Sequence, residues 1–318
     1  MIKKMLFATL VLSVAFPAAA QNWPAKPVRM LITFPPGGPS EILTRLVNER
    51  LQAALKQPFV VENRAGAGGN IGTDAVAKAA PDGYLFGITT DTLFTVNPHV
   101  YRKLPFDPWQ DIRPVTLLGS FSQMMVCNAA LPAKTLHELL KLARREKLSY
   151  ASGGPGVPGH LAAELLFSMT GASMLHVPYK GPAAATADVM GGQVNCGFLA
   201  TPTVLPHVKS GKLNGLAVST AKRSPLAPEI PSAAEAGAAG FDAPFYLVLF
   251  AAKGVSPDVL TIMNREVSRA LAVPEVKERA AKLDITTLGG SPDEATKVLK
   301  AAAQKWAPVV QRIGLKLD

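Results

Sequence analysis

The chain has 318 residues, a formal net charge of +10 and 48% hydrophobic residues, enough for two domains of ordinary size. Its basic residues are scattered singly, with no stripe beyond Arg144-Arg145 and Lys147, which argues against a nucleic-acid surface. Neither of the two cysteines has a His or second Cys spaced nearby, which argues against a metal site, and the diffuse positive charge instead favours encounter with anions.

Residues 1–20 read as a secretory signal. Lys3 and Lys4 form a short basic start, 5–16 is an apolar run too short to span a bilayer, and Ala18-Ala19-Ala20 is a cleavage site before Gln21. No Cys follows, so no lipid anchor is expected, and the protein is expected to be exported to the periplasm. In that oxidising compartment Cys127 and Cys196, both inside apolar runs, are open to a bridge or to two buried thiols.

The apolar run 28–34 reads as a buried strand. It opens into Pro35-Pro36-Gly37-Gly38-Pro39 and then a helix over 40–55, with Leu43, Leu46, Val47 and Leu51 at helical spacing. A strand, a glycine turn and a helix start leave backbone N–H groups unpartnered at the positive end of the helix dipole, where anions bind. Phe34, Pro36, Gly37, Gly38 and Ser40 are therefore candidate ligand contacts, with Glu41 either a ligand contact or a partner of the helix dipole.

A second strand over 58–63 runs into the glycine turn 64–70, which adds Ala67 and Gly68 as candidates, and a helix follows through 79. A third strand, 85–90, ends in Thr89-Thr90-Asp91, also candidates. In an open α/β sheet, ligands gather at the carboxyl ends of the strands, where such loops converge. Asp91 is out of place among anion-seeking loops unless the ligand carries a donor or Asp91 pairs with Arg64 or Lys180. Residues 97–114 read as a packed loop and 115–128 as one extended strand passing between domains.

A helix over 135–146 and a strand over 148–152 lead to a second glycine turn, Gly153-Gly154-Pro155-Gly156, and a helix over 161–170. Ser152, Gly153, Gly154, Gly156 and His160 join the candidate contacts, although a His at a helix start more often packs or caps locally. A strand over 174–179 brings Tyr179, a helix over 186–190 follows, and a strand over 193–199 brings Ala200 and Thr201. A further strand is expected over 216–220 and another over 246–251, with helices over 257–271, 276–283 and 293–313. Crossings between two domains are expected near 121–128 and 218–228.

The sharper chemical readings fail on local grounds. Gly154 to Gly159 matches G-x-G-x-x-G, but Pro155 and Pro158 each remove an N–H donor and no acidic residue closes the next strand, so no nucleotide cofactor is expected. Neither Ser40 nor Ser152 lies in a G-x-S-x-G elbow, and no acid–base constellation is apparent, so an exported hydrolase is disfavoured and no catalytic residue is assigned.

Several segments, in order, resemble the Bug (TctC-like) family. They are the Phe34-Pro35-Pro36-Gly37-Gly38 turn, 61–69, Pro81-Asp82-Gly83-Tyr84, Tyr150-Ala151-Ser152, 176–181 and Gly191-Gly192-Gln193-Val194. The resemblance implies a type II periplasmic-binding-protein fold, α/β, with two lobes around a ligand cleft. Lobe 1 would take 21–123 and 226–318, and lobe 2 would take 124–225. It also implies a monomeric solute-binding protein that delivers a small carboxylate to the membrane permease of a tripartite tricarboxylate transporter. A sensing subunit feeding a membrane kinase is the alternative. The chain departs from the family pattern at Glu41, where Asp is usual, at Val157-Pro158-Gly159-His160, at Phe198-Leu199-Ala200-Thr201 and at Asp91.

Overall fold

The computed structural model describes residues 23–317, so the expected signal segment 1–20 lies outside the described residues. The first half runs β1 (Val28–Ile32), α1 (Pro39–Leu55), β2 (Phe59–Asn63), α2 (Asn70–Ala77), β3 (Leu85–Thr90), α3 (Thr92–Thr95), α4 (Asn97–Val100) and β4 (Ile112–Phe121). The middle runs β5 (Gln123–Asn128), α5 (Leu136–Ala143), β6 (Ser149–Ser152), α6 (Pro158–Thr170), β7 (Leu175–Pro178), α7 (Pro182–Met190), β8 (Cys196–Ala200), α8 (Thr201–Lys209) and β9 (Leu213–Val218). The chain closes with β10 (Phe245–Ala252), α9 (Pro257–Ala272), α10 (Pro274–Ala281), β11 (Ile285–Gly289) and α11 (Pro292–Ile313).

Two sheets result, each covered by helices on both faces. The six-stranded sheet has the order β11-β4-β10-β3-β1-β2 and the five-stranded sheet β7-β6-β8-β5-β9. In the first, β1 lies parallel to β2 and β3, and in the second β6 lies parallel to β7 and β8, so helical crossovers are required between them. α1 buries Leu43, Val47 and Leu51 against β1, β3 and α9 in one apolar cluster. Pro39 fits the first helical position because its missing N–H would have had no partner there. α5 and α11 start on capping boxes, Thr135 with Glu138 and Ser291 with Glu294. α11 serves both lobes: Ala295 and Leu299 pack on the first sheet, Trp306, Val309 and Val310 on the second.

Two sequence expectations change. Residues 97–114 are not a loop throughout, since Pro98 in the first turn starts the short α4 and β4 begins at Ile112. The strand expected over 115–128 is two strands in different sheets, broken at Ser122, whose N–H donates to Asp284 Oδ2 at 3.0 Å instead of to a neighbouring strand. After β9 the chain stays beside that strand's end, where Ala233 and Ala243 donate to the Val218 and Ser219 carbonyls. Cys127 and Cys196, opposed on β5 and β8, form a disulfide. β11, a short Thr-rich strand, had no counterpart in the sequence reading.

Candidate functional site

A cavity of about 670 Å³ lies between the lobes. Its walls come from the carboxyl ends of β1, β3, β6 and β8, from the amino ends of α1, α6, α7 and α8, and from the crossing at 121–123. This is the arrangement an open α/β sheet gives: parallel strands bring their carboxyl ends, and the following helix starts, to one edge.

From the first lobe, Phe34, Pro36, Gly37, Gly38 and Ser40 line the cavity with Thr90. Gly37 turns the chain at φ +83, a conformation open to glycine. From the second lobe come Gly153, Val157, Pro158, Gly159 and Ala200. Gly159 lets α6 approach β8, since a Cβ there would stand 2.0 Å from the Phe198 carbonyl oxygen. The N–H groups of Gly38 and Ser40 in one turn, and of Gly153, Val157 and Gly159 in the other, have no hydrogen-bond acceptor among the described residues. The helix dipoles of α1 and α6 add their positive ends at the same place.

The remaining sequence candidates stand behind this surface. Glu41 accepts from the Gly37 N–H at 3.0 Å and from Arg45 Nε at 2.8 Å; these bonds, the Gly37 one foremost, hold its carboxyl below the usual range. It therefore ties the turn together. Ala67 and Gly68 lie beyond the cavity wall, because β2 is an edge strand and its loop packs on α4, with Asn97 Nδ2 donating to the Gly68 carbonyl at 3.1 Å. Thr89 alternates away from Thr90 and meets Thr33 at 3.1 Å. Tyr179 donates to Asp188 at 2.6 Å, which pushes its phenol up to about 12.

Ser152, Gly154, Gly156 and His160 shape the second turn from behind. Ser152 Oγ donates to the Gly154 carbonyl at 2.9 Å and lies 2.7 Å from His176 Nε2. His160 Nδ1 accepts from the Gly156 N–H at 3.0 Å and its ring stacks on His176 with centroids 3.9 Å apart. Burial, then the neighbouring His176, lowers His160 to about 3; burial lowers His176 to about 4. Both rings are thus neutral, as the acceptor role of Nδ1 demands.

Asp91 is fully buried and pairs with neither Arg64 nor Lys180. Its Oδ1 accepts from the Tyr246 N–H at 2.9 Å, while Oδ2 has no hydrogen-bond partner among the described residues. Burial pushes it up to about 7, partly offset by that N–H and by the Lys305 ammonium.

The sequence reading missed the floor of the cavity. Asp284, at φ +61 between α10 and β11, is its one ionisable lining residue among the described residues. Asp284 Oδ2 accepts from Ser122 Oγ at 2.6 Å as well as from its N–H, Oδ1 accepts from Ser224 Oγ, and Ser122 Oγ meets Thr201 at 2.8 Å. Thr201, a candidate contact from the sequence, is committed to this tie and does not line the cavity. One carboxylate thus binds the first lobe to the crossing and to the second lobe. Burial pushes its pKa up despite these bonds. No local pattern marks it, since its partners are 162 and 60 residues away.

Residues 43–315 match the family model described as the tripartite tricarboxylate transporter family receptor. The chain is 36% identical to Protein BugT of Bordetella pertussis over 96% of its own length and 94% of that protein's. Among solved structures it resembles R. palustris Rpa4515 with adipate (TM-score 0.83, 31% identity, 93% of this chain and 99% of that one). It also resembles MatC from Rhodopseudomonas palustris with bound malate (TM-score 0.77, 27% identity, 91% of this chain and 100% of that one).

Proposed function

Because this chain belongs to the tripartite tricarboxylate transporter receptor family, we propose that it captures a small carboxylate outside the cytoplasm and hands it unchanged to a membrane permease of that transporter class. The observation that carries the reading is the pair of turns at 37–40 and 153–159, which line one cavity with, among the described residues, five unpartnered N–H groups and no basic side chain in its wall. Such donors hold an anion by charge-assisted hydrogen bonds without supplying a nucleophile or an acid–base pair. Phe34, Pro36, Gly37, Gly38, Ser40, Thr90, Gly153 and Ala200 are the proposed contacts. The two turns belong to different lobes, so a ligand bridging them favours closure about the crossings at 121–123 and 243–245. Adipate and malate, carried by the two R. palustris neighbours, are both carboxylates, which supports the reading.

A thermal-shift screen of mono-, di- and tricarboxylates against neutral sugars tests it. A ligand at a hundredfold excess over its dissociation constant stabilises the protein by about 2.7 kcal/mol. Stabilisation by sugars with none by any carboxylate would overturn the proposal.

A further inference from the structure

We infer that Ser224 and Asp284 are positioning residues for carboxylate capture: from the joint between the two sheets they fix where the two N–H turns stand relative to each other. The inference rests on the carboxylate reading above. One anion held by both turns must lie within hydrogen-bond distance of donors carried on different sheets, and such bonds weaken steeply outside a narrow range of distance and angle. A small rotation at the joint is enlarged along the way to the turns, so what sets the joint sets the grip.

Ser122 is that joint, the residue between β4 of the six-stranded sheet and β5 of the five-stranded one. Asp284, which precedes β11 of the first sheet, accepts both the N–H and the hydroxyl of Ser122 on Oδ2. With its proton given to Asp284, the Ser122 hydroxyl accepts from Thr201 Oγ1 at 2.8 Å, at the start of α8. The other carboxylate oxygen, Oδ1, accepts from Ser224 Oγ, in the segment after β9. Ser224 Oγ itself accepts from the Leu226 N–H at 3.0 Å, which leaves its proton for the carboxylate. Thr201 and Ser224 both follow strands of the second sheet, so Asp284 spans the two sheets through buried hydroxyls.

A second cavity, of about 270 Å³, lies behind this knot, with Ser120, Thr220, Lys222 and Thr286 in its wall. It shares Phe121, Ser122 and Asp284 with the ligand cavity, so the knot is a partition between the two. A partition has fewer packed neighbours than a core contact, and its hydrogen bonds weigh correspondingly more. Ser224 lines the rear cavity and not the ligand cavity. Removing its hydroxyl therefore reaches a bound carboxylate through the joint and not by contact.

Calorimetry on the purified protein, with adipate, malate, citrate and benzoate as probes, tests the inference at a temperature where melting curves show each variant folded. Ser224→Ala should bind the probes about tenfold more weakly than the wild type, within the worth of one hydrogen bond to a charged group. Ser224→Thr keeps the hydroxyl and should restore the affinity, which a role in stability alone would not require. Thr201→Val removes the hydroxyl at the other end of the knot and should weaken binding in the same direction; should Ser224→Ala not fold, it decides in its place. Wild-type affinity in Ser224→Ala, or an equal loss in Ser224→Thr, would overturn the inference and leave carboxylate capture standing. No binding of any of the four probes by the wild type would overturn both.

Discussion

Replacing Asp91 by asparagine tests the buried charge behind the cavity. In the folded chain, burial pushes the carboxyl from 3.8 up to about 7, with the Tyr246 N–H and the Lys305 ammonium offsetting part of the effect. The Tyr246 phenol also faces this group, and Asp242, near both Tyr246 and Lys305, accepts from Lys305 Nζ on its carbonyl. An acid whose folded pKa lies above its unfolded one keeps a proton that the unfolded chain releases, so stability falls as pH rises from about 4 to about 7. Roughly three pH units at about 1.4 kcal/mol each amount to about 4 kcal/mol.

The amide introduced by Asp91→Asn cannot ionise, yet its carbonyl oxygen can still accept from the Tyr246 N–H. The opposite slope comes from His160 and His176, whose lowered values make stability fall as pH drops below the ordinary 6.5. The two effects oppose one another in the wild type, so the readout is the difference between variant and wild type. Urea unfolding at half-unit steps from about pH 4 to about pH 8 should show Asp91→Asn gaining about 4 kcal/mol on the wild type across that range. Parallel curves would refute the reasoning, whatever constant offset the unpaired amide introduces.

Gly38→Val places a side chain where nothing lies closer than 3.9 Å, so its melting temperature should match the wild type. Its carboxylate affinity should fall about tenfold to a hundredfold, the loss of one charge-assisted bond; Ser40→Ala should lose about tenfold or less. Unchanged binding by Gly38→Val in calorimetry would locate the anion elsewhere. Reduction of the Cys127–Cys196 bridge, which closes a 69-residue separation, should lower stability by about 4 kcal/mol in chemical denaturation.

What the sequence showed and what it hid divide along range. The turn 35–39 was legible because proline and glycine punctuate the chain locally and the helix after it repeats its apolar residues every three or four positions. Both glycine turns that reach the cavity were found the same way. The third, at 64–70, looks the same in sequence but follows an edge strand, and strand order is a property of pairings between distant residues. The break at Ser122 was invisible because it depends on Asp284, and the apolar run through it reads as continuous. Asp91 drew notice as an acid in the wrong place, yet its neighbours, Tyr246 and Lys305, come more than 150 residues later.

The anchor formed by the two turns is made of main chain, and that has a bearing on descent. Main-chain donors survive almost any substitution that preserves the local path, so the grip on the anion tolerates drift at most neighbouring positions. Gly37, Gly154, Gly156 and Gly159, which the path itself requires, are the exceptions. The apolar lining, built from side chains such as Leu199, Leu247 and Leu283, has no such protection, and each change there alters what fits. After gene duplication, a copy can therefore acquire a new ligand by changing a few wall residues without ever passing through a form that has lost its hold on carboxylates.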